Sequence, residues 1–358
     1  MFFEKPKNWA RSGARSGHSN GFSGGFPGGW PAATSRSGVL WLTVAAAVLA
    51  AAGCGGPTAD GGKFEGGKLA RKAAVGGRPR ILVTTTVVAD LVRQVAGDRV
   101  EVDCLMPPGI DPHSYKATPR DAERLLEADL VVASGLHLEG RLAALLARLA
   151  DRVAVLSVAD RLPANRILEA AGGIPDPHVW FDAGLWSLLP AEVARALAAI
   201  DPAGAETYAA RAETYAARLR EADAEARERL ATIPPDRRVL VTAHDAFRYF
   251  GRAYGIEVVG VQGTSTASEA GLGDINRLVE LVVSRRIPAV FVETSVADRN
   301  VAALIEGARA RGHQVSIGGR LYSDSLGPPE SDGGTLEAAL AANVETIVTA
   351  LADGEAAP

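Results

Sequence analysis

The sequence predicts an α/β protein of two lobes joined by one long, continuous helix. Three observations carry that reading. Residues 201–232 (DPAGAETYAARAETYAARLREADAEARERLAT) are dominated by Ala, Glu, Arg and Leu, with no Pro or Gly after Gly204, a composition that favours helix throughout. Short apolar, β-branched runs alternate with helical patterns before this stretch and again after it; such alternation marks parallel sheets covered by helices. The chain has 358 residues, 47% hydrophobic and 22% charged, which is globular and long enough for two ordinary cores.

The first 53 residues read as a targeting segment. Lys5, Lys7, Arg11, Arg15 and Arg36 lie in Gly/Ser-rich filler ahead of an apolar run, 39–52, that is short for a bilayer span and ends in small residues. Ala51-Ala52-Gly53-Cys54 resembles a bacterial lipoprotein cleavage site, although Ala51 stands where Leu is usual. The resemblance implies a signal peptide over 1–53, lipidation of Cys54, and a chain that is exported and anchored to a membrane, facing the periplasm or the cell exterior. Residues 54–78 are a Gly-rich polar tether. With Cys54 acylated, Cys104 has no disulfide partner; it alternates with Val100, Val102 and Met106, so it is expected in a strand core. Residues 1–53 hold five basic side chains and one acidic, leaving 33 Lys+Arg against 41 Asp+Glu in the body, a net charge of −8. That balance speaks against nucleic acid and suits a cation as partner.

The first lobe is expected over 79–200. Residues 80–86 (RILVTTT) form a buried strand, continuous in apolar and β-branched residues as parallel sheets require. A short helix to Gly97 precedes a strand at 100–106, which Pro107-Pro108-Gly109 ends, opening the loop GIDPHSYKATP. Thr118 caps the next helix, with Pro119 at its first position and Asp121 in its first turn. A strand at 129–134 leads to the loop GLHLEG and a Leu/Ala helix; a strand at 153–158 leads to GIPDPHVWFD and a helix toward Ile200.

The linking helix spans 201–233. Pro202 suits its first turn, where a missing N–H is harmless, and Pro234-Pro235 stop it. A tandem copy, AETYAAR at 205–211 and 212–218, brings Tyr208, Tyr215 and Leu219 to nearly one face. This is a core-facing stripe, because the run is too short for a coiled coil.

The second lobe, 234–358, starts with a buried strand at 238–243 (RVLVTA), with His244 opening the helix HDAFRYFGRAYG. A strand at 256–262 leads to the polar loop GTSTASEAG and a helix. A strand at 288–293 ends in Glu293. After a helix to Gly312 and a strand at 314–318, the loop GGRLYSDSLG carries Asp324, and the last helix spans 335–352.

Six histidines are present. His18 falls in the leader, and His313, beside Arg311 at a helix end, is expected in solvent. His113, His137, His178 and His244 all follow strands, and His113 and His178 share the context Asp-Pro-His. In open α/β sheets the binding crevice lies at the carboxyl ends of the strands, so these side chains, with Asp324 and Glu293, are candidates for a metal site. Asp245 and Asp298 are read as solvated or capping residues.

The motifs GIDPHSYKATP, GLHLEG, DPHVWFD, TAHDAFRYFGRAYGIEVVGVQG, STASEAG and LYSDSLG together resemble the zinc/manganese-binding receptors of bacterial ABC importers, cluster A-I, TroA-type. The likeness covers about 79–352. It implies two lobes, each with a mostly parallel four-stranded sheet, bridged by one long rigid helix. It implies metal ligands at His113, His178, His244 and Asp324, two from each half. It also implies Zn2+ or Mn2+ as the transported ligand, a permease and its ATPase as partners, and a monomer. His137 is then a hydrogen-bonded group lining the cleft, and Glu293 an acceptor that orients a ligand imidazole. Three imidazoles and a carboxylate fill a tetrahedral zinc shell, leaving no position for the water that hydrolytic zinc needs. No HExxH helix, Gly-rich phosphate loop or Ser nucleophile elbow is present. A carrier, not an enzyme, is expected; the alternatives are a surface adhesin and a zinc hydrolase using the three histidines with Asp324 as base.

Overall fold

The computed structural model describes residues 77–352. The signal peptide expected over 1–53, the expected lipidation site Cys54 and nearly all of the expected tether lie outside the described residues. In the first half the strands are β1 (Arg80–Val83), β2 (Glu101–Cys104), β3 (Leu130–Ala133) and β4 (Val155–Ser157). They form one parallel sheet in the order β2-β1-β3-β4, with Ile81 opposite both Val102 and Leu130. The crossovers that parallel pairing demands include α1 (Thr86–Ala96), α2 (Pro119–Glu127) and α3 (Arg141–Leu149), after which α4 (Ala183–Trp186) and α5 (Pro190–Ile200) complete this half.

The helix starts follow the sequence signals. Thr85 caps α1 through the Val88 N–H, and at α2 Thr118 and Asp121 cap each other's backbone N–H reciprocally, with Pro119 in the first turn. Cys104 packs against the margin of the core as expected, but is only half-buried, because β2 is an edge strand whose residues alternate between exposed and partly covered. Burial pushes its thiol up to about 11.

The linking helix α6 (Ala205–Leu230) follows a single 3₁₀ turn at Pro202–Gly204 and has 26 residues, about 39 Å at 1.5 Å per residue. Tyr208, Ala212, Tyr215, Ala216 and Leu219 are buried, the spacing of one helix face. That face packs on α1 and α5, and α6 also meets the C-terminal helix α10 (Leu336–Ala352) of the second half. The Tyr215 hydroxyl donates to Asp90 of α1 at 2.8 Å, and the same carboxylate accepts the Leu336 N–H at 3.1 Å. A single apolar cluster therefore runs from Ile81 through Tyr208 and Tyr215 to Leu351. The bridge is part of a shared core.

The second half contains β5 (Val239–His244), α7 (Arg248–Tyr254), β6 (Glu257–Gln262), α8 (Leu272–Ser284), β7 (Ala289–Glu293), α9 (Arg299–Ala310) and β8 (Ser316–Leu321) ahead of α10. Its four parallel strands form two pairs, β5–β6 and β7–β8, with β5 packed beside β7. The seam between the pairs is bridged at its carboxyl end by a side chain: Glu293 accepts the His244 backbone N–H at 2.8 Å. His244 is accordingly the last residue of β5 and not the start of a helix, which begins at Arg248. Apolar side chains on the far faces of both halves form two smaller clusters, so each sheet is covered on both sides.

Candidate metal centre

His113 lies in the loop after β2, His178 at the end of the long connection after β4, His244 at the tip of β5, and Asp324 just beyond β8. The fold brings these four together, one ligand atom from each within 4.8 Å of the others. His113 Nε2 is 3.2 Å from His178 Nε2 and 3.6 Å from Asp324 Oδ2. Asp324 Oδ1 is 3.4 Å from His178 Nε2, and Oδ2 is 3.2 Å from His244 Nε2. Ligands about 2.0–2.1 Å from a tetrahedral ion are separated from one another by about 3.3–3.4 Å, which is the scale of these edges.

The four side chains are out of water, His178 and His244 at 0% exposure, Asp324 at 1% and His113 at 5%. Neither Asp324 oxygen has a hydrogen-bond partner among the described residues, and His244 Nε2 has none either. A buried carboxylate in that condition carries a heavy desolvation penalty unless a cation answers it. The donor set thus fits a divalent metal ion.

Two of the three imidazoles, His178 and His244, are aimed from behind through Nδ1, while His113 is held through its backbone N–H. In the two Asp-Pro-His motifs the carboxylate accepts the N–H of the histidine two residues on: Asp111 from His113 at 2.9 Å, Asp176 from His178 at 3.1 Å. Asp176 also meets His178 Nδ1 at 2.8 Å, which leaves Nε2 facing the site. Glu293 does the same for His244, Nδ1 to Oε2 at 2.6 Å. These contacts fix tautomer and ring orientation.

Electrostatics differ across the cluster. Burial lowers the His113 pKa to about 4, although Asp324 opposes it. Burial also disfavours charge on His244, but Glu293 and Asp324 overcome it and raise its pKa well above the usual value. Burial alone would raise the Asp324 pKa; the neighbouring imidazoles, His244 foremost, instead hold it below the carboxylate range.

His137 is not in the cluster and does not line it. Its ring is exposed, because the loop turns through left-handed backbone at Leu136 and His137. The buried group of that loop is Glu139, which accepts from Thr84 Oγ1 at 2.8 Å, Ser134 N at 2.5 Å and Gly135 N at 3.3 Å. It pins the loop to the ends of β1 and β3 and so seats Gly140 against the His113 carbonyl, where a Cβ would lie 2.7 Å from the oxygen. The signal for Glu139 was present in the sequence: an acidic residue directly after Leu138 in an otherwise apolar turn.

His313 is half-buried and donates from Nε2 to the Ile287 carbonyl at 2.8 Å. Asp298 precedes α9 without capping it and pairs with Arg320 at 2.8 Å, while half-buried Asp245 faces Arg248 at 3.9 Å. The two halves are stitched around the cluster by Trp180 Nε1 to the Ser323 carbonyl at 3.2 Å, Leu326 N–H to Thr86 Oγ1 at 2.7 Å, and Gly109 N–H to Ser325 Oγ at 2.9 Å.

The description of the periplasmic zinc-uptake complex component A family matches residues 81–350. The zinc-binding protein TroA of Treponema pallidum is 41% identical over 282 residues, covering 79% of this chain and 92% of that protein. The manganese-binding lipoprotein MntA of Bacillus subtilis is 41% identical over 273 residues, covering 76% and 89%. Among solved structures, the periplasmic zinc-binding protein TroA from Treponema pallidum superposes with a TM-score of 0.76 at 42% identity, covering 77% of this chain and all of that one.

Proposed function

We infer from the family to which this chain belongs, that of the periplasmic zinc-uptake complex component A, that it captures a divalent transition metal ion and hands it to an ABC importer. It is a binding protein and not an enzyme. The observation that carries the reading is the buried carboxylate of Asp324, unpartnered and faced by three oriented imidazoles.

His113, His178, His244 and Asp324 hold the cargo, and Glu293 orients His244. Zn2+ and Mn2+ are both candidates as cargo: relatives of equal identity are named for each metal, and an imidazole-rich set favours zinc by intrinsic affinity. The partners are a permease and its ATPase. The lobes 79–200 and 234–358, joined by 201–233, supply two ligands each, and the carrier acts as a monomer.

The leader 1–53 directs export and Cys54 carries the lipid anchor, a reading supported by the small residues before Cys54 and by relatives named lipoproteins. A Cys54→Ser chain that still incorporated labelled fatty acid would remove the anchor from this account.

The test of the function is calorimetric titration of chelator-stripped protein with Zn2+ and, separately, Mn2+. One ion should bind per chain, with the preferred metal identified by competition. Absence of saturable binding by either ion would refute the reading.

A further inference from the structure

The loop 263–271 (GTSTASEAG) between β6 and α8 meets the Asp111-Pro112-His113 motif across the two halves, in a way the metal shell itself does not require. Asp111 uses its two carboxylate oxygens differently: Oδ1 accepts the His113 N–H at 2.9 Å, and Oδ2 accepts the Thr266 hydroxyl at 2.6 Å. The base of the same loop is tied to the other half's ligand strand. The Asp245 N–H, next to His244, donates to the carbonyls of Gln262 at 3.1 Å and Gly263 at 3.4 Å. Gln262 Nε2 in turn donates to the Ser268 carbonyl at 3.1 Å, bracing the loop from within. One loop therefore joins the segment that carries His113 to the strand that carries His244.

His113 is also the edge of the cluster, 5% exposed where the other three ligands are at 0–1%. The loop borders a cavity of about 520 Å³ lined by Ser265, Ser268, Glu269 and Asp274 among others.

We propose that Thr266 is a positioning residue that latches loop 263–271 onto Asp111, holds His113 over the ion, and so sets the rate at which metal leaves. The proposal rests on the reading of the four-residue cluster as a metal cage. Breaking the latch frees Asp111 from the second half, and the edge ligand it orients can lift before the three deeper ones. Because the acceptor is a carboxylate, loss of this hydrogen bond is expected to change the release rate roughly tenfold.

The experiment loads the full chain with Zn2+, mixes it with excess chelator and follows release by stopped flow. Thr266→Val removes the hydroxyl at nearly constant volume, Thr266→Ser restores it, and Ser265→Ala removes a neighbouring loop hydroxyl that accepts the Ala267 N–H at 3.3 Å. Thr266→Val should release zinc about tenfold faster, with Thr266→Ser and Ser265→Ala within about twofold of the parent chain. Thr266→Val also removes this hydrogen bond from the metal-free protein, so its melting temperature should fall slightly, whereas that of Thr266→Ser should stay near the parent value. The latch is overturned if Thr266→Val releases at the parent rate, or if either of the other variants is as fast as Thr266→Val. A parent chain that held no zinc would instead remove the metal-cage reading, and the latch with it.

Discussion

The two halves hold their ligands by different means. In the first half each ligand histidine has its backbone N–H held by the aspartate two before it, and a proline between them stiffens the turn. In the second half His244 is positioned by Glu293, 49 residues later on a neighbouring strand, and among the described residues the Asp324 carboxylate has no hydrogen-bonded support from outside the ligand cluster. The first pair is organised locally; the second exists only once β5, β7 and β8 lie side by side. Charge follows the same division. Burial keeps His113 neutral, down to about 4, while the second half contains both buried acids, Glu293 and Asp324, that hold a proton on His244. Both halves aim their histidines, but only the second adds a carboxylate to the ligand cluster itself.

The sharpest way to break that contrast is to remove the charge. Asp324 faces all three imidazoles through its two oxygens, so Asp324→Ala should weaken metal binding by more than about a hundredfold, beyond the span usual for outer partners of a metal site. His113→Ala removes only the edge ligand and should do less. Chelator competition measures both, and equal losses would mean that the halves contribute alike.

Part of this arrangement was legible in the sequence. The apolar runs and the uninterrupted helix announce the fold class because burial on both faces of a parallel strand, and helix propensity over 26 residues, are local properties. The repeated Asp-Pro-His is legible for the same reason: acceptor and donor are two residues apart. Long-range geometry was not. Reading by residue type selects His137, yet the backbone of its turn sends that ring outward and Glu139 inward. Cys104 follows a core alternation, but nothing local says that β2 is an edge. The division of the second sheet into two pairs, and the persistence of β5 through His244 opposite Gln262 of β6, are set by pairing between strands distant in sequence. The bond between Thr266 and Asp111 spans 155 positions and has no local signature.

A smaller effect should separate the two buried orienting acids. Glu293→Gln and Asp176→Asn each alter a partner of a ligand imidazole, a class of change that reduces metal affinity by about 10–100-fold. Glu293→Gln should lie toward the upper end, because Glu293 also joins β5 to β7 and supplies charge to His244. Asp176→Asn should lie toward the lower end, since its turn is held by Pro177 and by the Tyr249 hydroxyl on the Asp176 carbonyl at 2.9 Å. The metal-free melting temperature should fall further for Glu293→Gln. A ranking reversed in both affinity and melting temperature would show that local orientation, not the seam between strand pairs, limits the site.

The smallest effect, and the one that reads the charge division directly, is the proton balance of binding. With its pKa raised well above 6.5, His244 carries a proton in the metal-free protein at neutral pH, whereas His113, lowered to about 4, carries none. A ligating imidazole must be neutral, so metal uptake near pH 7 should expel about one proton, and that proton should come from His244. Affinity should then rise with pH, by about tenfold per unit at most, until His244 deprotonates on its own. The fold responds with the opposite sign. A raised folded pKa stabilises the metal-free protein fully below the unfolded value, and that contribution is lost as pH climbs through the folded one. His113 acts in a separate, acidic window: between about 6.5 and about 4 the unfolded chain takes up a proton there that the fold refuses, so stability falls as pH falls. Titrations at pH 7 in buffers of different ionisation enthalpy count the protons. The parent chain should release about one per ion and Glu293→Gln distinctly fewer, because losing the Glu293 charge lowers the His244 pKa. Equal proton release from both chains would mean that the Glu293 charge does not hold the His244 proton.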